Sequence, residues 1–375
     1  MSIREGAFGR LEPLLSGIAD RAVEVDKTAS FPGATVVALK ESGLLGLVTP
    51  TSNGGLGGGF TDAAAVVERV AQRCASTAMV LCMHYAGAAV IAAHGTPEFN
   101  QEVAEGRALL TLAFSEVGSR SHFWAPESSA VAGGGGVRLN ARKSWVTSAH
   151  HATHFVWSSK PVKADGVSTL WLVKQGAVGL SVPRPFDGLG LRGNDSSPID
   201  GNDVVVESSA RLGGDGQGFD IMMGVVLPIF QIMCAGTSLG ISEAALSGAC
   251  AHASGTSFTH LGAALSSLPT VRAYLAKARV QTDMARSLWL DTLSAVETGR
   301  PDAMLRVLEC KAAAGETAQE VTSTCMRVCG GAAFRKEVGV ERAFRDATAA
   351  GVMAPTSDVL YDFIGKAITG LPLFG

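Results

Sequence analysis

The pattern of apolar and polar positions changes character twice along the chain. From Leu11 to about His94 it is helical. Leu11, Leu14, Leu15 and Ile18 recur at three- and four-residue spacing, and a second stretch after Pro32 carries Val36, Val37, Leu39 and Leu44. Thr61 stands where it would cap a third helix whose apolar residues run from Ala63 through Val70. Cys74 to Ala93 is apolar on nearly every face, the mark of a helix buried on most sides.

From Leu110 to about Leu212 the period shortens to that of strands. Leu110 to Glu116, Val137 to Ala149, Phe155 to Lys160, Ser168 to Lys174 and Val204 to Val206 are β-favouring runs separated by Gly, Pro, Asn and Asp. Gly133 to Gly136 suit a hairpin tip, where positive φ is needed. Successive strands without intervening helices predict a small sandwich or barrel. Beyond Gly218 long helices return. One spans about Ile221 to Ala253, perturbed near its start by Pro228; a second spans Thr270 to about Val296. A third starts at Asp302 and stops at Gly330-Gly331, and a shorter one covers Asp358 to Ile368. The expected plan is an α+β chain in three parts: an all-helical domain at 1–109, a β domain at 110–217, and an antiparallel four-helix bundle at 218–375.

Composition narrows the function classes. Among 375 residues, 31 Lys+Arg against 34 Asp+Glu leave a net charge of −3, without the basic surplus of a nucleic-acid binder. Hydrophobic residues at 47% and charged ones at 17% make the chain too apolar for disorder. The longest apolar run, Ala86 to Ala93, is short for a membrane span, and the N-terminus has no signal-like stretch behind Arg4 and Glu5. Seven scattered cysteines, an odd count, fit reduced thiols and a cytoplasmic location.

Few motifs carry chemistry by themselves. Gly54 to Gly59 and Gly214 to Gly218 lack the G-x-G-x-x-G spacing and the strand–turn–helix setting of a dinucleotide cradle, and are read as connectors. His150, His151 and His154 lie in a strand-and-turn context with no carboxylate or thiol beside them in sequence, so no metal is expected. Cys325 and Cys329 are read as buried thiols. Asp358, after Pro355-Thr356-Ser357, is placed as a cap or first-turn carboxylate.

The order of several segments resembles the acyl-CoA dehydrogenase family. They are Phe31-Pro32 through Thr49-Pro50 with Gly54, Gly55 and Gly57; Phe114-Ser115-Glu116; Arg142 to Ser148; and Gly330-Gly331 with Glu341-Arg342 and Arg345-Asp346-Ala347. The match covers nearly the whole chain. The resemblance implies that family's fold and FAD as cofactor. It places Phe114 and Ser115 at the isoalloxazine edge, Trp145 and Thr147 on or near N5, and Ser121 near the pyrophosphate or ligand. Gly330 and Gly331 would reach the FAD of a neighbouring subunit, so a homodimer or homotetramer is expected. Hydroxyl or backbone donors near a flavin stabilise charge on the reduced ring, and glycines permit close approach.

Three positions depart from the family pattern. The usual catalytic glutamate aligns with Ala354. The alternative position on the first bundle helix aligns with Phe230, followed by Gln231. The Arg-x-x-Phe segment appears as Gly255-Thr256-Ser257-Phe258. Loss of a positioned base costs about 10²–10⁴-fold, so a replacement is expected at His84 or Asp358. The resemblance implies FAD-dependent oxidation of an acyl thioester, CoA- or carrier-bound, with hydride transfer to the flavin. A flavin monooxygenase using reduced flavin and O₂ on the same fold, or a non-catalytic flavin-binding homologue, are the alternatives.

Overall fold

The computed structural model describes residues 2–119, 122–133, 135–258 and 262–374. Helices α1 (Ile3–Thr28), α2 (Gly33–Glu41), α3 (Phe60–Ala71), α4 (Ala75–His94) and α5 (Pro97–Ala104) precede the first strand. Leu11, Leu15 and Ile18 form the buried face of α1, as their spacing predicts. Thr61 does not cap α3: it lies one residue inside, and the Asp62 carboxylate accepts the Gly59 N–H at 2.9 Å instead. Gly55, Gly57 and Gly58 serve close packing. A Cβ at Gly55 would collide with the Thr49 carbonyl, and one at Gly58 with Leu47.

Among the described residues eight strands follow: β1 (Leu110–Ala113), β2 (Ser129–Gly133), β3 (Gly136–Val146), β4 (His154–Ser159), β5 (Thr169–Lys174), β6 (Leu180–Ser181), β7 (Ser197–Val206) and β8 (Arg211–Leu212). They form two four-stranded sheets, β1-β4-β5-β8 and β2-β3-β7-β6. Phe155, Trp157, Trp171 and Val173 from the first, with Leu139, Ile199 and Val204 from the second, make one buried core. The structure thus has a sandwich, with strands β2, β6 and β8 beyond those expected. Strand β7 is longer than Val204–Val206 because Asp200 and Gly201, turn formers by type, pair with β3 and β6, while Asp203, at φ +52°, sits at the irregularity and donates its N–H to the Asn140 side chain.

The loop before β5 is closed by a carboxylate. Asp215 accepts the N–H groups of Val162, Lys163 and Ala164 at 2.9 Å each and the Thr169 hydroxyl at 2.7 Å. Burial works against its charge, but these donors hold the carboxyl far below the usual carboxylate range. A Cβ at Gly216 would meet the Asp165 carbonyl, which accounts for that glycine.

The C-terminal part contains α6 (Gly218–Ile221), a π-helical turn (Met222–Val226), α7 (Leu227–Gly255), a two-residue strand pair, α8 (Pro269–Glu297), α9 (Ala303–Cys329), α10 (Val340–Ala347), α11 (Ala349–Val352) and α12 (Ser357–Thr369). The π-turn sits just before Pro228, whose missing N–H cannot join a regular α ladder. Two helical stretches, Ala75–His94 and Gly218–Gly255, are long and apolar enough to cross a membrane, unlike the short run expected from the sequence. Most of each is buried inside the protein. All seven cysteines are free, and only Cys250 is exposed.

The chain divides into two compact units. One comprises Met1–Val66, Met79–Gly188 and Arg192–Phe230; the other comprises Val67–Ala78, Leu189–Leu191 and Gln231–Gly375. In the second, α3 and α7 approach so closely that a Cβ at Gly240 would meet Ala71 and the Glu68 carbonyl. Arg286 links Glu68 to Glu243 at 2.9 and 3.0 Å, and Arg279 binds Glu243 through both nitrogens.

Candidate functional site

In the first unit, strand β3 carries the candidate site on a deformed end. Alternation along β3 turns Lys143 inward, where it is 1% exposed. An ammonium cannot be buried there alone. Its Nζ contacts Glu116 Oε1 at 2.5 Å and donates to the Ser158 carbonyl at 2.7 Å, above the face of Trp157. Glu116 Oε2 accepts the N–H groups of Glu127 and Ser128 at 2.7 and 2.9 Å. Burial alone would raise the Glu116 pKa; the Lys143 charge and these donors hold it below the usual range. The pair pins the segment after β1 to β3, with the Ser144 N–H donating to Ser115 O at 2.9 Å.

Two residues past Lys143 the pairing with β7 slips, between Lys143 and Val146. Trp145 occupies this bulge at φ +58°, with its side chain 71% exposed. Ser148, also at +58°, follows the buried Thr147, and Asp195, at +51°, faces them. Ser148 N–H donates to Asn194 O at 2.9 Å, Ala149 N–H to Asp195 O at 3.1 Å, and the hydroxyls of Thr147 and Ser196 lie 3.1 Å apart. The Asp195 carboxylate accepts the His150 N–H at 2.7 Å and contacts His150 Nδ1 at 2.8 Å. Three left-handed non-glycine residues in two interlocked segments are backbone strain concentrated at one corner. The buried Ser148 Oγ has no partner among the described residues.

These residues fit a planar aromatic group. The exposed indole offers a stacking face, and the neighbouring hydroxyls, including the unpartnered Ser148 Oγ, supply polar contacts. Phe114 is buried and stacks on Phe123 at a centroid distance of 6.4 Å, so its ring braces the segment instead of standing open. Ser115 is half-buried beside it. Ser121 lies outside the described residues.

His84, expected as a candidate base, is tied into the core in this structure. It is wholly buried; its Nε2 bonds the Leu45 carbonyl at 2.8 Å and its Nδ1 accepts the Leu110 N–H at 3.1 Å. Burial pulls its pKa down to about 4, and with both ring nitrogens committed no lone pair is available. Sequence spacing alone does not distinguish such a tie from a pocket histidine.

In the second unit, Ala354 presents only a methyl group, and its loop is held by Lys311. The buried Nζ of Lys311 donates to the carbonyls of Met353 and Pro355 at 3.0 and 2.6 Å. Asp358 is exposed in the first turn of α12, where the Thr356 hydroxyl accepts the Val359 N–H as the cap. Gly330, at φ +57°, and Gly331 are exposed with open space where a Cβ would stand. Nearby in the same unit, the Leu191 N–H donates to Asp346, and Arg345 pairs with Glu341. The roles of Lys311 and Asp195 escaped the sequence reading because their partners, a backbone carbonyl pair and a distant turn, leave no residue pattern.

Comparison with known proteins accounts for this arrangement. Residues 15–108, 111–204 and 216–369 match the N-terminal, middle and C-terminal domains of acyl-CoA dehydrogenase. The chain belongs to the acyl-CoA dehydrogenase family, a family of flavoprotein oxidoreductases. It is 29% identical to the probable acyl-CoA dehydrogenase YngJ of Bacillus subtilis, over 91% of each chain. It is also 29% identical to the cyclohex-1-ene-1-carbonyl-CoA dehydrogenase of Syntrophus aciditrophicus, over 94% of this chain and 86% of that one. The butyryl-CoA dehydrogenase of Megasphaera elsdenii superposes with a TM-score of 0.91 at 22% identity, covering 98% of both chains, a likeness of fold.

Proposed function

We propose that this protein is an FAD-dependent oxidoreductase that oxidises an acyl thioester, CoA- or carrier-bound. The observation carrying the reading is Trp145, an indole held by strain in an exposed position beside Thr147 and Ser148. Bound flavin supplies the two-electron oxidation. Trp145 would stack on it and Thr147 and Ser148 would offer hydroxyls to its polar edge, while Phe114 and Ser115 hold the adjoining segment through the Glu116–Lys143 pair. Gly330 and Gly331 leave room for the flavin of a neighbouring copy in a homodimer or homotetramer.

Proton removal from the substrate needs an acceptor that Ala354 does not provide. We assign it to Asp358, four residues further along and solvent-accessible. The same alanine favours a second reading, a monooxygenase working with reduced flavin and O₂, which requires no such acceptor. Titrating the yellow holoprotein anaerobically with acyl-CoA separates the two: a dehydrogenase bleaches, whereas a monooxygenase keeps its colour and consumes O₂ only after external reduction. Protein that purifies colourless and takes up no FAD would defeat both. Ala354→Glu should give or raise acyl-CoA-dependent bleaching if a thioester docks beside that loop.

A further inference from the structure

One buried polar group in the second unit is used by nothing described above. Gln231, on α7, is 0% exposed, and neither its Oε1 nor its Nε2 has a partner among the described residues. Leaving both ends of an amide unpaired in the interior is costly. Such a group marks either a defect or the seat of a ligand. One observation favours a ligand, and two more place the group in the fold. The π-turn Met222–Val226 lies just before it on the same helical run, and such turns concentrate at functional sites. One turn beyond Gln231, Cys234 lies close to Cys310 of α9, whose thiol is pushed up to about 12 by burial, with Cys234 adding to the effect. The residue after Cys310 is Lys311, which holds the carbonyls on either side of Ala354. Gln231 therefore lies on the stretch of α7 near the part of α9 whose Lys311 holds the Ala354 loop.

We propose that Gln231 is a specificity-determining residue that binds an amide group of the substrate, its Nε2 donating to the ligand carbonyl and its Oε1 accepting the ligand N–H. An amide supplies a donor and an acceptor side by side, matching the two unpaired atoms, whereas a plain alkyl chain leaves both empty. Two sources share this chemistry: an amide within the acyl group, or one in the pantetheine arm. The inference rests on the thioester reading above.

The test uses FAD-loaded protein and two isosteric thioesters, 4-carbamoylbutanoyl-CoA and 5-methylhexanoyl-CoA, with Gln231→Met as the apolar isostere. If the amide is in the acyl group, wild type binds the carbamoyl ester roughly 10- to 100-fold more tightly, and Gln231→Met abolishes the difference. If the arm supplies it, wild type binds both alike and the variant weakens both by a similar factor. Binding that is unchanged in Gln231→Met overturns the proposal while leaving the thioester reading intact; no thioester binding to wild type overturns both. Melting gives an independent arm. Gln231→Met should raise the Tm of the ligand-free protein, and a lower Tm would show the amide already satisfied within the fold and refute its role.

Discussion

Trp145 combines a left-handed backbone with a side chain that buries little of itself. Little of the indole is buried to offset the strain, which is the pattern expected of a residue serving the proposed flavin. Trp145→Ala should leave Tm nearly unchanged while lowering FAD affinity roughly tenfold, read by titrating apoprotein with FAD. His84 behaves in the opposite way. Its folded pKa of about 4 lies below the ordinary 6.5, so the unfolded chain binds the extra proton between those values. Stability is full above pH 6.5 and falls by about 3 kcal/mol as pH drops to 4. Urea denaturation across that window should show the slope in wild type and lose one proton's share of it in His84→Gln. Full retention of the slope in the variant would show that another group causes it.

At the scale of elements, the Glu116–Lys143 pair is the tie that shapes the end of β3. Removing one partner strands a buried charge, so Lys143→Met should cost about 3–5 kcal/mol, and adding Glu116→Leu should restore much of it. Thermal melts of the two variants check this. Gly240→Leu forces α3 from α7 and should cost about 3 kcal/mol. The long elements were legible because their periodicity is local: α7, α8 and α9 end within a few residues of the expected limits. The short strands were not. β6 and β8 are two-residue strands defined by partners far along the chain, β2 is a run of small residues held by its hairpin with β3, and β7 holds residues whose local preference is to turn. The same limit hid Lys143, whose burial follows from register and a carboxylate 27 positions away.

For the whole molecule, family membership follows from the order of segments spread across the chain, which no single motif carries. Site chemistry was less legible, since a histidine on an apolar helix serves equally as a tie or a base until its partners are known. The exposed Phe334, close to Gly330-Gly331 and 83% accessible, suits a surface covered by a second copy. Sedimentation should show a dimer or tetramer, and Phe334→Asp should shift it to a smaller species; a monomeric wild type would dismiss the shared-flavin arrangement. Asp215 bears on how the protein survives in a cell. By gathering three successive amides it keeps the segment around Lys163 from adopting the extended form a protease needs in its cleft. Asp215→Asn should open that segment to trypsin at Lys163, so that two fragments appear on a gel long before the rest of the chain is digested.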